Sequence, residues 1–330
     1  MRRESKAPEQ FAELFRRHGD NPILTARDWP YPAHTVFNAG ACQLDEETLL
    51  LVRVEDRRGH SHLTVARSSD GVSNWQIDSK PSFAADPANY PEEEWGVEDA
   101  RLTWVEDRRQ WIIAYTAYSH SGPLVSLAGT KDFVTFSRLG PVMPPEDKDA
   151  AVFPRRFGNR YAMIHRPVAT GSFGAHLWLS FSPDLIHWGE HHVLMHARRG
   201  AWWDAGKIGL GPPPLETAEG WLILYHGVRV TAGGCLYRLG LALLDLEDPC
   251  RVLRRSDQWV FAPETPYERQ GDVGGVVFPC GWILDKPGGT IRLYYGGADT
   301  CLALITAGLD DVLSYLRTCP APCSGNADHH

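Results

Sequence analysis

No hydrophobic run in this 330-residue chain approaches the roughly 18 residues that a membrane-crossing helix requires, so no membrane partner is expected. The opening Met1-Arg2-Arg3-Glu4-Ser5-Lys6 leads into no apolar signal region, and a cytoplasmic location is the expectation. Positive charge is not in excess: 33 Lys and Arg against 41 Asp and Glu give a formal net charge of −8, which argues against a nucleic-acid partner. A local gathering of Arg, Lys and His would then serve a small anion. The seven cysteines, at 42, 235, 250, 280, 301, 319 and 323, lack Cys-x-x-Cys spacing, so most are read as reduced and buried and no metal site is expected. Cys319 and Cys323 fall with His329 and His330 in a Pro-rich stretch, about 318 to 330, read as a flexible tail. Gly206-Lys207-Ile208-Gly209 is only superficially a phosphate loop, because Gly-x-x-x-x-Gly-Lys-Ser/Thr is absent. Nucleotide hydrolysis is excluded, and no cofactor is expected.

What is present is a repeat. Five times, two neighbouring strands recur: Phe37 to Leu44 with Thr48 to Glu55, Asp99 to Val105 with Trp111 to Tyr118, Ala151 to Phe157 with Tyr161 to Pro167, Leu210 to Glu216 with Trp221 to Val228, and Val276 to Leu284 with Ile291 to Gly297. Three copies continue into a turn with an aromatic four residues after its Asp: Asp70 and Trp75 (five apart in this copy), Asp132 and Phe136, Asp184 and Trp188. Short aromatic and β-branched strands separated by Gly and Pro predict an all-β fold, and five copies of about four strands predict a five-bladed β-propeller. A β-sandwich is the structural alternative. A single domain over 1–330 is expected, with about 1–30 as N-terminal helix and lead-in. Phe11, Leu14 and Phe15 at i, i+3, i+4 spacing predict that short helix over Pro8 to His18, docked on the body.

Antiparallel neighbours put the start of each first strand and the end of each second strand on one rim. That rim collects Asn38 with Arg53, Asp99 with Tyr118, Asp149 with Arg166, Lys207 with His226, and Asp272 with Asp299. Adjacent acids, Glu98 and Asp99, open the second copy. Alternation along a strand implies that they point differently, so that only one faces the axis squarely. Arg53, Arg67, Arg155, Arg156, Arg166, Lys207 and His226 form the basic set. Arg166 and His226 end largely apolar strands, and a buried cation needs a carboxylate or a bound anion. Of the aromatic residues near these segments, Trp202 and Trp203 are the ones expected to meet a sugar ring.

The segments Val36-Phe37-Asn38-Ala39-Gly40-Ala41, Gly96-Val97-Glu98-Asp99-Ala100-Arg101, Lys148-Asp149-Ala150-Ala151-Val152-Phe153-Pro154-Arg155, His165-Arg166-Pro167, Tyr225-His226-Gly227-Val228 and Tyr295-Gly296-Gly297-Ala298-Asp299 resemble, in this order, the glycoside hydrolase family 130 mannoside phosphorylases. The resemblance runs from about Asn21 to Asp299. It implies a five-bladed propeller and inverting phosphorolysis of a β-mannoside, with a mannose-containing oligosaccharide and inorganic phosphate as partners and α-mannose 1-phosphate as product. It places the general acid on Asp99, acting through the mannose 3-hydroxyl. It implies sugar binding by Asn38, Arg53, Glu98 and Asp299, and phosphate binding by Arg155, Arg166, Lys207, His226 and Tyr237. Ala39 and Ala100 stand where many relatives have proline, and Arg156 where some have asparagine. Two rivals are a β-mannoside hydrolase of the same fold, using Glu55, Glu98 or Glu216 as base, and a non-catalytic carbohydrate-binding propeller. A homo-oligomer is compatible with the sequence.

Overall fold

The computed structural model describes residues 13–168, 174–286 and 288–322. Its body is five antiparallel four-stranded units, each strand pairing mainly with its neighbour in sequence. The first is Thr35–Leu44, Glu47–Glu55, Ser61–Ser68 and Gln76–Ile77; the second is Gly96–Val105, Gln110–Ser119, Gly122–Thr130 and Phe136–Pro141. A lone parallel bridge, Ser61 to Gly96, joins these two into one sheet. The third unit is Asp147–Val152, Tyr161–Pro167, Leu177–Ser182 and Gly189–Met195. In the fourth, Gly211-Pro212-Pro213-Pro214 interrupts the first strand, leaving Lys207–Leu210 and Leu215–Thr217 both paired with Gly220–Thr231, followed by Gly234–Leu244 and Val252–Arg255. Proline offers no N–H to the ladder, which accounts for the break.

The fifth unit closes with residues from the opposite end of the described chain. Val277–Asp285, Thr290–Gly297 and Cys301–Gly308 are completed by Arg16–Arg17, antiparallel to the third strand. Arg17 is clamped there by Glu268, whose fully buried carboxylate accepts from Arg17 Nε at 2.9 Å and from the Tyr295 hydroxyl at 2.7 Å. Part of the expected N-terminal helix, Pro8 to Ala12, lies outside the described residues; Arg16–Arg17, within the rest of that span, are strand. Pairing with an otherwise open sheet edge outweighs the helical spacing of Leu14 and Phe15, although Phe15 is buried against the body as expected. At the other end the amphipathic helix Leu309–Thr318, unanticipated from sequence, packs Val312, Leu313 and Leu316 onto the fourth and fifth units. Cys319 is buried with them, so the described part of the expected tail begins in the core; Cys323, His329 and His330 lie outside the described residues.

Five principal apolar clusters sit between units. They join first to second, second to third, third to fourth, fourth to fifth, and fifth back to first. Alternating residues of one strand feed different clusters: Leu49 and Leu51 face the second unit, Leu50 and Val52 the fifth. The turns are built alike. Ser68, Thr130 and Ser182 each accept an N–H three residues on, while Asp70, Asp132 and Asp184 each accept from the residues two and three ahead. The first hydroxyl is Ser68 rather than Ser69.

Candidate active site

The first strands of the first three units share a defect at the same place. Asn38, Asp99 and Asp149 adopt left-handed φ angles of 48°, 53° and 56°, and in each strand the pairing register slips there. Asn and Asp tolerate this conformation better than other side-chain-bearing residues, and a bulge re-aims the side chain it carries. All three side chains become buried and converge on each other's partners.

Asp99 Oδ1 accepts from Asn38 Nδ2 at 2.9 Å and from the Arg53 guanidinium at 3.1 Å. Arg53 also reaches Glu98 Oε1 at 3.0 Å and Glu55 Oε2 at 3.2 Å, and lies over the Phe37 ring. Strand alternation was therefore a poor guide: the bulge brings Glu98 and Asp99 onto one guanidinium. Glu55 and Glu98, two of the bases required by the hydrolase rival, are both tied to it, and Glu216 is paired with Arg155 elsewhere.

Arg101 was not singled out from sequence, yet it is the buried strut of the site. Its guanidinium donates to the carbonyl oxygens of Asp99, Leu210 and Gly211 and to Asp149 Oδ1 at 3.3 Å, tying the second, third and fourth units together. Its signal was the one used for Arg166, a cation between apolar neighbours in a strand. Asp149 Oδ2 in turn accepts from Arg166 Nε at 2.7 Å. Gly209 permits this approach, since a Cβ there would stand 2.3 Å from Asp149 Oδ2.

Burial pushes the Asp149 carboxyl up, but Arg166 and Arg101 outweigh it and hold it far below the usual carboxylate range. A depressed folded-state pKa stabilises the fold above the unfolded value, about 3.9, and that contribution is lost as pH falls through the folded value. Asp149→Ala leaves two buried guanidinium groups without their carboxylate. It is expected to cost about 3–5 kcal/mol in urea denaturation at neutral pH. The gap between variant and wild type should narrow on acidification.

Burial also raises the Asp99 carboxyl, and here Arg53, Arg101 and Lys148 outweigh it and hold it below the ordinary range. Asp299, itself at a left-handed φ of 51°, is pushed up to about 6 by burial and then by the charge of Asp99. A proton thus rests more readily on Asp299 than on Asp99.

A cavity of about 450 Å³ opens beside this cluster, its polar wall formed by Lys148, Arg166, Lys207, Asp147 and Glu146. Among the described residues the Lys148 and Lys207 ammonium groups have no carboxylate within 4 Å, and burial followed by the charge of Arg166 lowers the Lys207 pKa. Lys148 stood in a segment quoted for the resemblance but was not chosen. Tyr237 lies beside Lys207, with Nζ 5.6 Å from the ring centroid, and its hydroxyl is pushed up to about 12, chiefly by burial. His226 packs against Phe278 and Tyr237, and its Nε2 is 3.5 Å from Asp149 Oδ2. Burial, with Arg166 and Lys207, drives its pKa down to about 3, so it is a neutral imidazole and not one of the cations. Among the described residues, His226 Nδ1 and Asn38 Oδ1 are buried without a hydrogen-bond partner.

Arg155 does not join them. It donates to Glu216, Glu247 and the Leu246 carbonyl oxygen, and its guanidinium lies near Trp221. It follows the end of the strand Asp147–Val152, at the edge of the sheet opposite the rim. Arg67 and Arg156 likewise pair with Asp78 and Asp107, and Asp272 with His34. Trp203 is buried, stacked on Tyr225; Trp202 is exposed beneath Arg198. An exposed edge-to-face pair, Trp95 and Tyr118, stands at the strand ends near Glu98.

Comparison with known proteins agrees over nearly the whole chain. Residues 16–318 match glycoside hydrolase family 130, described as beta-1,4-mannooligosaccharide phosphorylase. A beta-1,4-mannooligosaccharide phosphorylase of Ruminococcus albus is 34% identical over 319 residues, covering 94% of this chain and 93% of the relative. A beta-1,2-mannobiose phosphorylase of Listeria innocua is 38% identical, covering 91% of this chain and 98% of the relative. The solved complex of a Listeria innocua beta-1,2-mannobiose phosphorylase with beta-1,2-mannobiose superposes with a TM-score of 0.83 at 30% identity, covering 92% of this chain and 99% of that one.

Proposed function

The chain belongs to glycoside hydrolase family 130, and on that premise we propose that it cleaves a β-mannoside by phosphorolysis, with inorganic phosphate as attacking group and α-D-mannose 1-phosphate as product. The activity is that of a mannoside phosphorylase, a hexosyltransferase. The five units are the blades of a five-bladed β-propeller, supported by apolar clusters that run from each unit to the next and from the fifth back to the first. The single observation carrying the reaction is the cavity lined by Lys148, Lys207 and Arg166, where the two ammonium groups have no carboxylate partner among the described residues; the Lys148 charge also reaches the Asp99 carboxyl.

Phosphate held there attacks the anomeric carbon from the face opposite the leaving group. The glycosidic C–O bond breaks, and a proton passes to the leaving oxygen, with inversion. No second carboxylate base is needed, since the nucleophile arrives as an anion. Asp99 supplies the proton, and Asn38, Arg53, Glu98 and Asp299 hold the mannose around it. The low pKa of Asp99 fits this role once phosphate binds, because a dianion beside Lys148 offsets part of the field that keeps the carboxyl ionised. His226, being neutral, offers a hydrogen bond rather than charge, and its unpartnered Nδ1 and the free oxygen of Asn38 are positions for ligand hydroxyl groups. Positioning and charge stabilisation carry the rate.

Linkage and acceptor are read from the reverse reaction. Mannose 1-phosphate is incubated with mannose, mannooligosaccharide, glucose and N-acetylglucosamine, and released phosphate and product linkage are recorded. Absence of phosphate release with every acceptor would contradict the proposal.

A further inference from the structure

One polar residue from each strand of the third unit joins a hydrogen-bonded chain that starts at the phosphate cavity. Asp147, on the first strand, lines the cavity and is 2% exposed. Its Oδ2 lies 2.6 Å from His165 Nδ1 on the second strand. His165 Nε2 lies 2.7 Å from Ser180 Oγ on the third, and Ser180 Oγ lies 2.7 Å from Nδ1 of exposed His191 on the fourth. His165 and Ser180 are buried as fully as Asp147. The other Asp147 oxygen, Oδ1, accepts the backbone N–H of Arg166 at 3.1 Å. Each carboxylate oxygen is thus engaged by a group within the sheet.

From this geometry we infer that His165 is a positioning residue for phosphate, an inference that rests on the phosphorylase reading of the cavity. A carboxylate in the wall of an anion site is unfavourable unless its lone pairs are engaged elsewhere, because it repels the phosphate and competes for the same cations. His165 holds one Asp147 oxygen back within the sheet, and the Arg166 N–H holds the other. The same Arg166 contact fixes the strand residue whose guanidinium faces the cavity. Without the His165 N–H, the freed oxygen turns to Lys148 or Lys207, whose ammonium groups line the same cavity and have no carboxylate partner among the described residues. Ser180, itself engaged by His191 Nδ1, sets the ring orientation by engaging Nε2.

The two ring nitrogens allow a discriminating test. An asparagine amide nitrogen stands where Nδ1 stands, and a glutamine amide nitrogen where Nε2 stands. His165→Gln loses the Asp147 contact and is expected to raise the KM for phosphate about 10-fold, while the KM for the mannoside changes less than about two-fold. His165→Asn keeps that contact and is expected to recover most of the phosphate affinity. Equal phosphate KM values in the two variants, or parallel changes in both substrates, would overturn the inference. Titration calorimetry with inorganic phosphate alone gives the same comparison without turnover. Wild-type protein that binds phosphate but yields no sugar phosphate contradicts the phosphorylase reading; an active His165→Gln protein with unchanged phosphate affinity contradicts only this inference. Should thermal unfolding show that His165→Gln does not fold, Asp147→Asn is measured instead. It removes the charge that His165 holds back, so phosphate binding is expected to tighten severalfold, and unchanged or weaker binding would overturn the inference.

Discussion

Asp99→Asn is expected to lower kcat by about a thousand-fold or more in both phosphorolysis and synthesis, with the melting temperature little changed. Asparagine keeps an oxygen for the Asn38 amide and for Arg53, and Arg53 retains Glu55 and Glu98, so the local network survives without the exchangeable proton. The loss therefore falls on the chemical step. Near-normal turnover would refute the assignment of Asp99 as acid, and would turn attention to Asp299, whose carboxyl burial pushes up to about 6.

Lys207→Ala carries the second large effect. Its ammonium group borders the cavity without a carboxylate partner among the described residues, so its removal strands no buried counter-charge. The KM for phosphate is expected to rise about 10- to 100-fold, the worth of a charge-assisted hydrogen bond, with the KM for the mannoside nearly unchanged. Initial-rate kinetics with each substrate varied in turn reads both. Arg166→Ala would be a poorer probe, because it also strips Asp149 of its shortest contact. Arg155→Ala is the control: its guanidinium is engaged with Glu216 and Glu247, and phosphate kinetics should not move. Unchanged phosphate kinetics in Lys207→Ala would remove the cavity from the reaction.

The rim was legible because it follows from strand direction alone. Asp149 and Arg166 meet across adjacent antiparallel strands, and Asn38 and Arg53, on another such pair, both reach Asp99 at the same rim of the next unit. Illegible was whatever depends on a local departure from regular strand. The left-handed bulges at Asn38, Asp99 and Asp149 turn side chains that simple alternation sends elsewhere, which is why Glu98 shares Arg53 with Asp99. Arg155 looked like a site cation because residue type was visible and distance along the strand was not weighed. Charge state was hidden as well: His226 reads as basic in sequence, but burial beside Arg166 and Lys207 leaves it neutral. The N-terminal strand misled for a different reason, since Arg16–Arg17 extend only because the fifth sheet has an edge to offer. Nothing within the segment announces a partner some 290 residues away, Thr306.

The most direct test of phosphate as nucleophile is phosphorus and proton NMR of a β-mannoside incubated with the protein, with and without inorganic phosphate. The expected result is α-mannose 1-phosphate formed in step with the consumption of inorganic phosphate, and no cleavage in its absence. Free mannose appearing at the same rate in both samples would contradict it.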